Sequence, residues 1–292
     1  MSLRMEDTAP ASDSSPETDS VTASDGRPTA QPWLVALDID GTLVHYDQTM
    51  TSAVRTAVRA VADAGHHVVL ASGRSLVGVL PVARMLALTQ GQVVCSNGAV
   101  TVRLDQSLTD GFEVTQALTF DPGPALRLLA QHLPEAKFAV EDVGVGFRLT
   151  DLFPEGELSG EHRVVGLEDL WSGEVTRVVV RGGDHSSQEF AQRIAHIGLH
   201  GCEWTVGYTA WMDLAPVGVN KARTLEEVRQ RLGVPHERTL ALGDGNNDIE
   251  MLQWAARGVA MGQASEQVKA AASEVTASID DNGAVPVLAS LL

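Results

Sequence analysis

Cysteine is scarce in this chain of 292 residues: there are two, Cys95 and Cys202, far apart and without any CxxC spacing. Neither a disulfide framework nor a thiolate zinc site is indicated, and a reducing, cytoplasmic setting is expected. Positive charge is scarce as well. Lys and Arg number 21 against 38 Asp and Glu, a net charge of -17, so a nucleic-acid backbone or an anionic membrane surface would be repelled and neither is an expected partner. Long apolar runs are missing too. None approaches the roughly 20 residues that span a bilayer, and the first residues carry neither the basic start nor the hydrophobic stretch of a secretion signal. What is present, 44% hydrophobic and 20% charged residues, suits a globular chain with a sizeable core. Its length exceeds the usual span of one domain and favours two.

Residues 1–31 are rich in Ser, Thr, Asp and Pro with almost no aliphatic periodicity. They cannot bury enough surface to offset the entropy of ordering and read as a disordered acidic tail. Beyond them, short apolar runs alternate with helical patterns. Leu34-Val35-Ala36-Leu37 is the kind of run found in strands buried on both faces of a parallel sheet. Residues 52–64 follow with Ala53, Val54, Ala57, Val58 and Val61 at helical spacing, stopped by Gly65. The alternation continues through an apolar run at 68–71, a helix at 76–88 and a run at 93–95, and it returns near the C-terminus at 239–242, 249–256 and 258–261. It predicts an α/β domain with a doubly wound, Rossmann-like parallel sheet, built from residues 32–105 and 213–292. Residues 106–212 carry more strands per helix, with candidate strands at 113–120, 137–141, 146–150, 175–181 and 202–206 and helices at 123–133 and 187–197. They predict an inserted α+β domain with an antiparallel sheet covered on one face.

Ligands of an open parallel sheet bind at the carboxyl ends of its strands. Asp38, Ser72, Asn97 and Asp244 each stand at the end of an apolar run, so pairing of those strands would gather four polar side chains at one edge. Asp38-Ile39-Asp40-Gly41 sets two carboxylates two residues apart, a spacing that can divide labour between nucleophile and general acid/base. An acidic turn would use the same residues. Gly243-Asp244-Gly245-Asn246-Asn247-Asp248 adds two more acids in a Gly-rich loop opening a helix, where Asn247 or Asp248 could equally serve as a cap. Four carboxylates at one edge repel one another unless a cation lies between them, and hard oxygen donors point to magnesium rather than zinc.

Asp38-Ile39-Asp40-Gly41-Thr42-Leu43, Ser72-Gly73-Arg74, Lys221 and the stretch from Gly243 to Asp248 resemble, in order and spacing, the four motifs of the haloacid dehalogenase superfamily of phosphatases. Ser96-Asn97-Gly98-Ala99 and the long insertion resemble its Cof-type branch, which carries a large α/β cap. The resemblance covers nearly everything after Gln31. It implies a magnesium-dependent phosphatase acting on small phosphorylated metabolites such as sugar phosphates. Asp38 would attack phosphorus and form an aspartyl-phosphate, while Asp40 would protonate the departing alcohol and later activate water. Magnesium would be held by Asp38, by Asp40 through its backbone carbonyl and by Asp244, with Asp248 supporting the metal site. Ser72, Gly73 and Lys221 would bind the phosphoryl oxygens together with Asn247, which would also orient its loop, and Asn97 and Arg74 would lie on the substrate side. The family usually shows Ser-Lys-Gly where this chain has Asn220-Lys221-Ala222. A phosphomutase shares these motifs, and a non-catalytic phosphate sensor could keep the pocket. Halide displacement would need neither Asp40 nor magnesium.

Each role also has a physical reason. Phosphoryl transfer demands positioning and charge stabilisation around three oxygens, and a lysine beside the acids would help keep Asp38 ionised. Taken singly, Lys221 reads as a solvated residue of an amphipathic helix and Ser72 as a helix cap. His66-His67 reads as a solvated or packed pair rather than a metal site. His45 and Tyr46, following the first motif, read as loop residues that could equally come near the active site, and Trp204, Tyr208 and Trp211 as packing at a core or cap edge, with contact to substrate as the other use. Arg148, Arg177 and Arg181 read as surface residues of strands, with a second substrate anion as the other use for them. Nothing in the sequence specifies an oligomeric state.

Overall fold

Leu34–Leu37 forms a strand, β1, with no exposed side chain. Val35 and Leu37 enter one layer of core and Leu34 and Ala36 the other, the outcome of side chains alternating between the faces of a strand covered on both. The computed structural model describes residues 31–183, 186–207 and 209–292. The tail expected over 1–31 lies outside them apart from Gln31, and so does Tyr208.

In chain order, β1 is followed by α1 (Ser52–Asp63), β2 (His67–Ala71), α2 (Leu76–Met85), β3 (Gln90–Cys95), β4 (Val100–Asp105) and β5 (Phe112–Ala117). Then come α3 (Gly123–His132), β6 (Lys137–Asp142), β7 (Gly146–Leu149), β8 (Glu161–Val164), β9 (Val178–Arg181), α4 (Ser187–Ala195), β10 (Glu203–Val206) and β11 (Trp211–Ala215). The chain closes with α5 (Lys221–Leu232), β12 (Thr239–Gly243), α6 (Ile249–Trp254), β13 (Arg257–Ala260), α7 (Glu266–Ala271), β14 (Glu274–Val275) and α8 (Ala284–Ala289).

An eight-stranded sheet runs β14-β13-β12-β1-β2-β3-β4-β5. Its first six strands are parallel, and β4 and β5 join them as an antiparallel edge. Val54, Val58 and Val61 of α1, Val79 of α2 and Leu288 of α8 pack on one face. Leu225 and Val228 of α5, Met251 of α6 and Val268 of α7 cover the other. The doubly wound parallel sheet expected from the alternation is therefore present. A second, six-stranded sheet runs β10-β11-β9-β6-β7-β8 and is antiparallel except where β8 joins β7 in parallel. Leu126 and Leu129 of α3 and Phe190 and Ile194 of α4 pack with Val178, Val180, Met212 and Leu214 on one face of that sheet. Ala139, Phe147, Leu149 and Val179 form a smaller cluster on the opposite face.

Two details differ from expectation. The segment Phe112–Ala117, expected inside the insertion, pairs with β4 in the larger sheet. The chain turns back on itself between them, with Gly111 at φ +77 and its carbonyl accepting from the Asp105 amide at 3.0 Å, and so short a closure favours the strand next door. At the far end β11 stays in the smaller sheet as far as Ala215, past the expected limit at 212. Among the described residues no helix is long and apolar enough to cross a membrane.

Candidate active site

β12, β1, β2 and β3 are neighbours, so their carboxyl ends set Asp244, Asp38, Ser72 and Asn97 along one edge. This is the point where α1 leaves for one face of the sheet and α6 for the other, and a crevice opens at such a switch. Helix α5 brings the fifth group. Asn220 caps it, its side-chain oxygen accepting from the Arg223 amide at 2.9 Å, which places Lys221 in the first turn. The Lys221 side chain is fully buried, and its Nζ donates to Asp38 Oδ1 at 2.7 Å and to Asp248 Oδ1 at 2.6 Å. The other oxygen of Asp248 accepts from the backbone amides of Asp244 at 3.0 Å and Gly245 at 2.8 Å. Asp248 thereby orients both the lysine and the loop.

Asp244 accepts from Tyr46 Oη at 3.0 Å and, at 3.4 Å each, from Thr42 Oγ1 and Gln263 Nε2. Gly41, at φ +77, lies so close that a methyl group there would collide with the Asp244 carboxylate. Carboxylate oxygens of Asp38, Asp244 and Asp248 all lie within 4.8 Å of one another. Burial, then Asp248, pushes the Asp38 carboxyl well up, and Lys221 opposes this without outweighing it. Asp244 is pushed up to about 6 by burial and then by Asp248. Burial works against the Lys221 charge, but Asp248 and Asp38 more than offset it and raise its pKa. Lys221 thus helps keep Asp38 ionised, in the direction the sequence suggested, but does not suffice: one ammonium faces three buried acids. Hard oxygen donors carrying surplus negative charge fit a divalent cation such as magnesium.

Arg74 takes the position facing Asp40. Its Nε donates to Asp40 Oδ2 at 2.8 Å and its Nη2 to Asp40 Oδ1, and Nη2 also reaches Gln48 Oε1 at 2.7 Å. Ser72 Oγ accepts from the Arg74 amide at 3.1 Å, so the hydroxyl shapes its own turn while lining the cavity. Asn247 Nδ2 donates to Asn97 Oδ1 at 2.8 Å, and Gly73 lies against both side chains. Ser96, Asn97 and Gly98 run left-handed in succession, at φ +51, +54 and +108. Glu141 of β6 ties this turn to the second layer, accepting from Ser96 Oγ at 2.6 Å.

A cavity of about 530 Å³ joins the two layers, with Asp38, Asp40 and Arg74 on one side and Phe147, Arg177 and Trp211 on the other. Every residue expected at the site is at this edge. Tyr46 and Gln263, which hold Asp244, and Asp213, which holds Arg177, belong to no motif, and only Tyr46's place shortly after Thr42 hinted at its role. The three strand arginines are each paired with a carboxylate, Arg148 with Asp142, Arg177 with Asp213 and Arg181 with Glu157, and Arg177 is buried rather than on the surface. His66 is structural, accepting from the Trp33 amide and facing the Leu291 carbonyl.

A family model for haloacid dehalogenase-like hydrolases matches residues 35–121 and 155–288. The chain is 26% identical over 264 residues to 5-amino-6-(5-phospho-D-ribitylamino)uracil phosphatase YitU of Bacillus subtilis, over 87% of this chain and 95% of that one. It is 28% identical over 270 residues to pyridoxal phosphate phosphatase YbhA of Escherichia coli, over 85% and 93%. Among solved structures it is similar to the phosphatase BT1666 of Bacteroides thetaiotaomicron, with a TM-score of 0.72 and 26% identity over 89% of this chain and 94% of that one. The subclass IIB sugar phosphatase BT4131 gives a TM-score of 0.72 and 25% identity over 89% and 98%. The matched segments carry the carboxylates, the lysine and the loops that position them, and this chain belongs to the haloacid dehalogenase-like hydrolases, as a Cof-type phosphatase.

Proposed function

We propose that Asp38 is the nucleophile and Asp40 the general acid/base of a magnesium-dependent hydrolysis of small phosphomonoesters. The observation that carries this reading is the bridge from Lys221 Nζ to Asp38 and Asp248, with the Asp244 carboxylate in the same cluster. Lys221 fixes the Asp38 carboxylate, which attacks phosphorus and becomes an aspartyl-phosphate. Asp40 gives a proton to the departing oxygen and then takes one from the water that hydrolyses the acyl phosphate. Both its oxygens are engaged by Arg74, so each transfer requires one of those hydrogen bonds to be released. Ser72, Gly73, Lys221 and Asn247 cradle the phosphoryl oxygens. Asp38, the Asp40 carbonyl and Asp244, with Asp248 behind them, would hold magnesium, which when bound would supply positive charge against the electrons that accumulate on those oxygens.

In the same reading the smaller sheet and its helices form a cap, residues 118–215 rather than 106–212, which closes the cavity and excludes water during transfer. The relatives named above act on pyridoxal phosphate, a ribitylaminouracil phosphate and sugar phosphates, and the substrate is taken to be a metabolite of that size. The cytoplasm is the expected location, and the acidic surface argues against nucleic-acid and membrane partners. The test is Asp38→Asn, whose amide is a poor nucleophile. Turnover of phenyl phosphate with magnesium should fall about 10⁴-fold or more while circular dichroism and the melting temperature stay close to wild type. Near-normal turnover would reject the assigned nucleophile.

A further inference from the structure

Side-chain alternation sends Val178, Val180, Met212 and Leu214 toward α3 and α4. Asp213 therefore faces the other way, beside Val179, its register partner on β9, and Arg177 lies on the same side one residue before that strand. Arg177 Nε donates to Asp213 Oδ1 at 2.8 Å, and Nη2 reaches the same oxygen at 2.6 Å. The second Asp213 oxygen accepts from Asn97 Nδ2 at 3.4 Å, and Asn97 in turn accepts from Asn247. The Asn97 amide donates to the Ser72 carbonyl at 3.1 Å. An unbroken line of side chains thus runs from the catalytic loop to a cap arginine that lines the cavity. A buried ion pair is a weak source of stability, since apolar residues of similar volume usually serve as well. Its place at the cavity wall calls for another use.

Among the described residues two arginines line the cavity, Arg74 and Arg177, and each is engaged by a carboxylate, Asp40 and Asp213. Lining carboxylates outnumber them, so neither arginine stands ready for a second anion on the substrate. On the side of the smaller sheet, Phe147, Leu158 and Trp211 give the wall an apolar patch among hydroxyls such as Ser159 and Thr205, with Phe153 steadying Trp211 edge-on at 6.0 Å. A planar donor with its charge cancelled, set beside flat apolar surface, recognises an oxygen on a neutral group.

We propose that Arg177 is the specificity residue for the leaving group. It donates a hydrogen bond to a hydroxyl or carbonyl oxygen of an uncharged leaving group seated against Phe147 and Trp211, and a leaving group with a second phosphate is rejected. Asp213 cancels its charge, and Asn97 is a positioning residue that holds the pair in register with the phosphoryl site. The inference rests on the phosphomonoesterase reading above.

The test compares a hexose 6-phosphate, the corresponding 1,6-bisphosphate and phenyl phosphate, using the full chain with magnesium. Wild type should prefer the monophosphate to the bisphosphate by about tenfold or more, and Arg177→Met should lower kcat/KM for the hexose phosphate about tenfold further than for phenyl phosphate, which has no oxygen to receive the bond. Asp213→Asn keeps an acceptor but frees the guanidinium charge, and should raise the ratio of bisphosphate to monophosphate turnover about tenfold. Asn97→Gly keeps the left-handed turn and should act in the direction of Arg177→Met, more weakly and through KM. Equal losses on both monophosphates in Arg177→Met, or an unchanged bisphosphate ratio in Asp213→Asn, overturn the proposal, and the second variant decides if the first does not fold. A wild type inert toward all three esters would instead sink the phosphomonoesterase reading, and this inference with it.

Discussion

Two sets of charge, one at the edge of the larger sheet and one on the smaller sheet, are built on opposite plans, and Arg177 with Asp213 is the balanced pair that lines the cavity. At the edge of the larger sheet Asp38, Asp244 and Asp248 share one ammonium, that of Lys221, and none of the four is more than 5% exposed. On the smaller sheet Arg148, Arg177 and Arg181 each meet one carboxylate. A balanced pair settles its charge locally, and what it contributes is shape. An unbalanced buried set is costly to keep, and here the cost shows as the upward displacement of the Asp38 and Asp244 carboxyls. Surplus charge of that kind is useful only to a ligand of opposite sign, which is why the proposed chemistry is placed at the unbalanced set and the proposed fit to the leaving group at the balanced pair of the smaller sheet that lines the cavity.

The strongest way to break this contrast is Lys221→Met. Without its ammonium, three carboxylates lie together with no cation, and the metal-free protein should lose about 3–5 kcal/mol of stability to denaturant, as when a buried ion pair loses one partner. Turnover should fall about 10³-fold, the scale of losing one preorganised donor to the transferring group. Magnesium should restore part of the stability and little of the turnover. A variant as stable as wild type without metal would mean that the cluster carries no surplus charge.

Magnesium itself gives a smaller, pH-dependent effect. Asp244 titrates near 6 when folded against 3.8 ordinarily, so between those values the folded state binds more protons than the unfolded one. The metal-free protein should therefore gain stability from this site as pH falls through about 6 and lose it as pH rises again, and magnesium, which competes with that proton, should raise the melting temperature more at about pH 7.5 than at about pH 5.5. Thermal melts with and without the ion at the two pH values decide it. Equal increments would remove Asp244 from the metal site.

The unbalanced set was largely legible in the sequence and the balanced set was not. β1 announces itself because all four of its residues are apolar, and the acids are conspicuous because they follow such runs directly. Lys221 was harder, since a lysine opening an amphipathic helix looks solvated, and only its company gave it a role. Arg177 and Asp213 lie 36 residues apart in sequence, and Asp213 and Asn97 lie 116 apart. No local pattern records such contacts, because the first arises when β9 and β11 pair within the smaller sheet and the second when that sheet is laid over the larger one. The edge strand β5 failed for the opposite reason: a short turn decided its partner, while its alternation fitted either sheet.

The mildest test sharpens the balanced side. Arg181 Nε faces both oxygens of Glu157, at 3.1 and 3.2 Å, but the two side chains keep 23% and 26% of their exposure. Water screens a pair this open, so Arg181→Met should cost no more than about 1 kcal/mol in chemical denaturation. Turnover of phenyl phosphate should not change, because Arg181 touches neither the acids nor the phosphoryl site. The value of the experiment lies in the ratio to Lys221→Met. Both substitutions remove one cation, from one carboxylate at Arg181 and from two at Lys221, so similar losses would mean that burial adds nothing to these pairs, whereas a several-fold gap would assign the difference to burial and to charge that has no second partner.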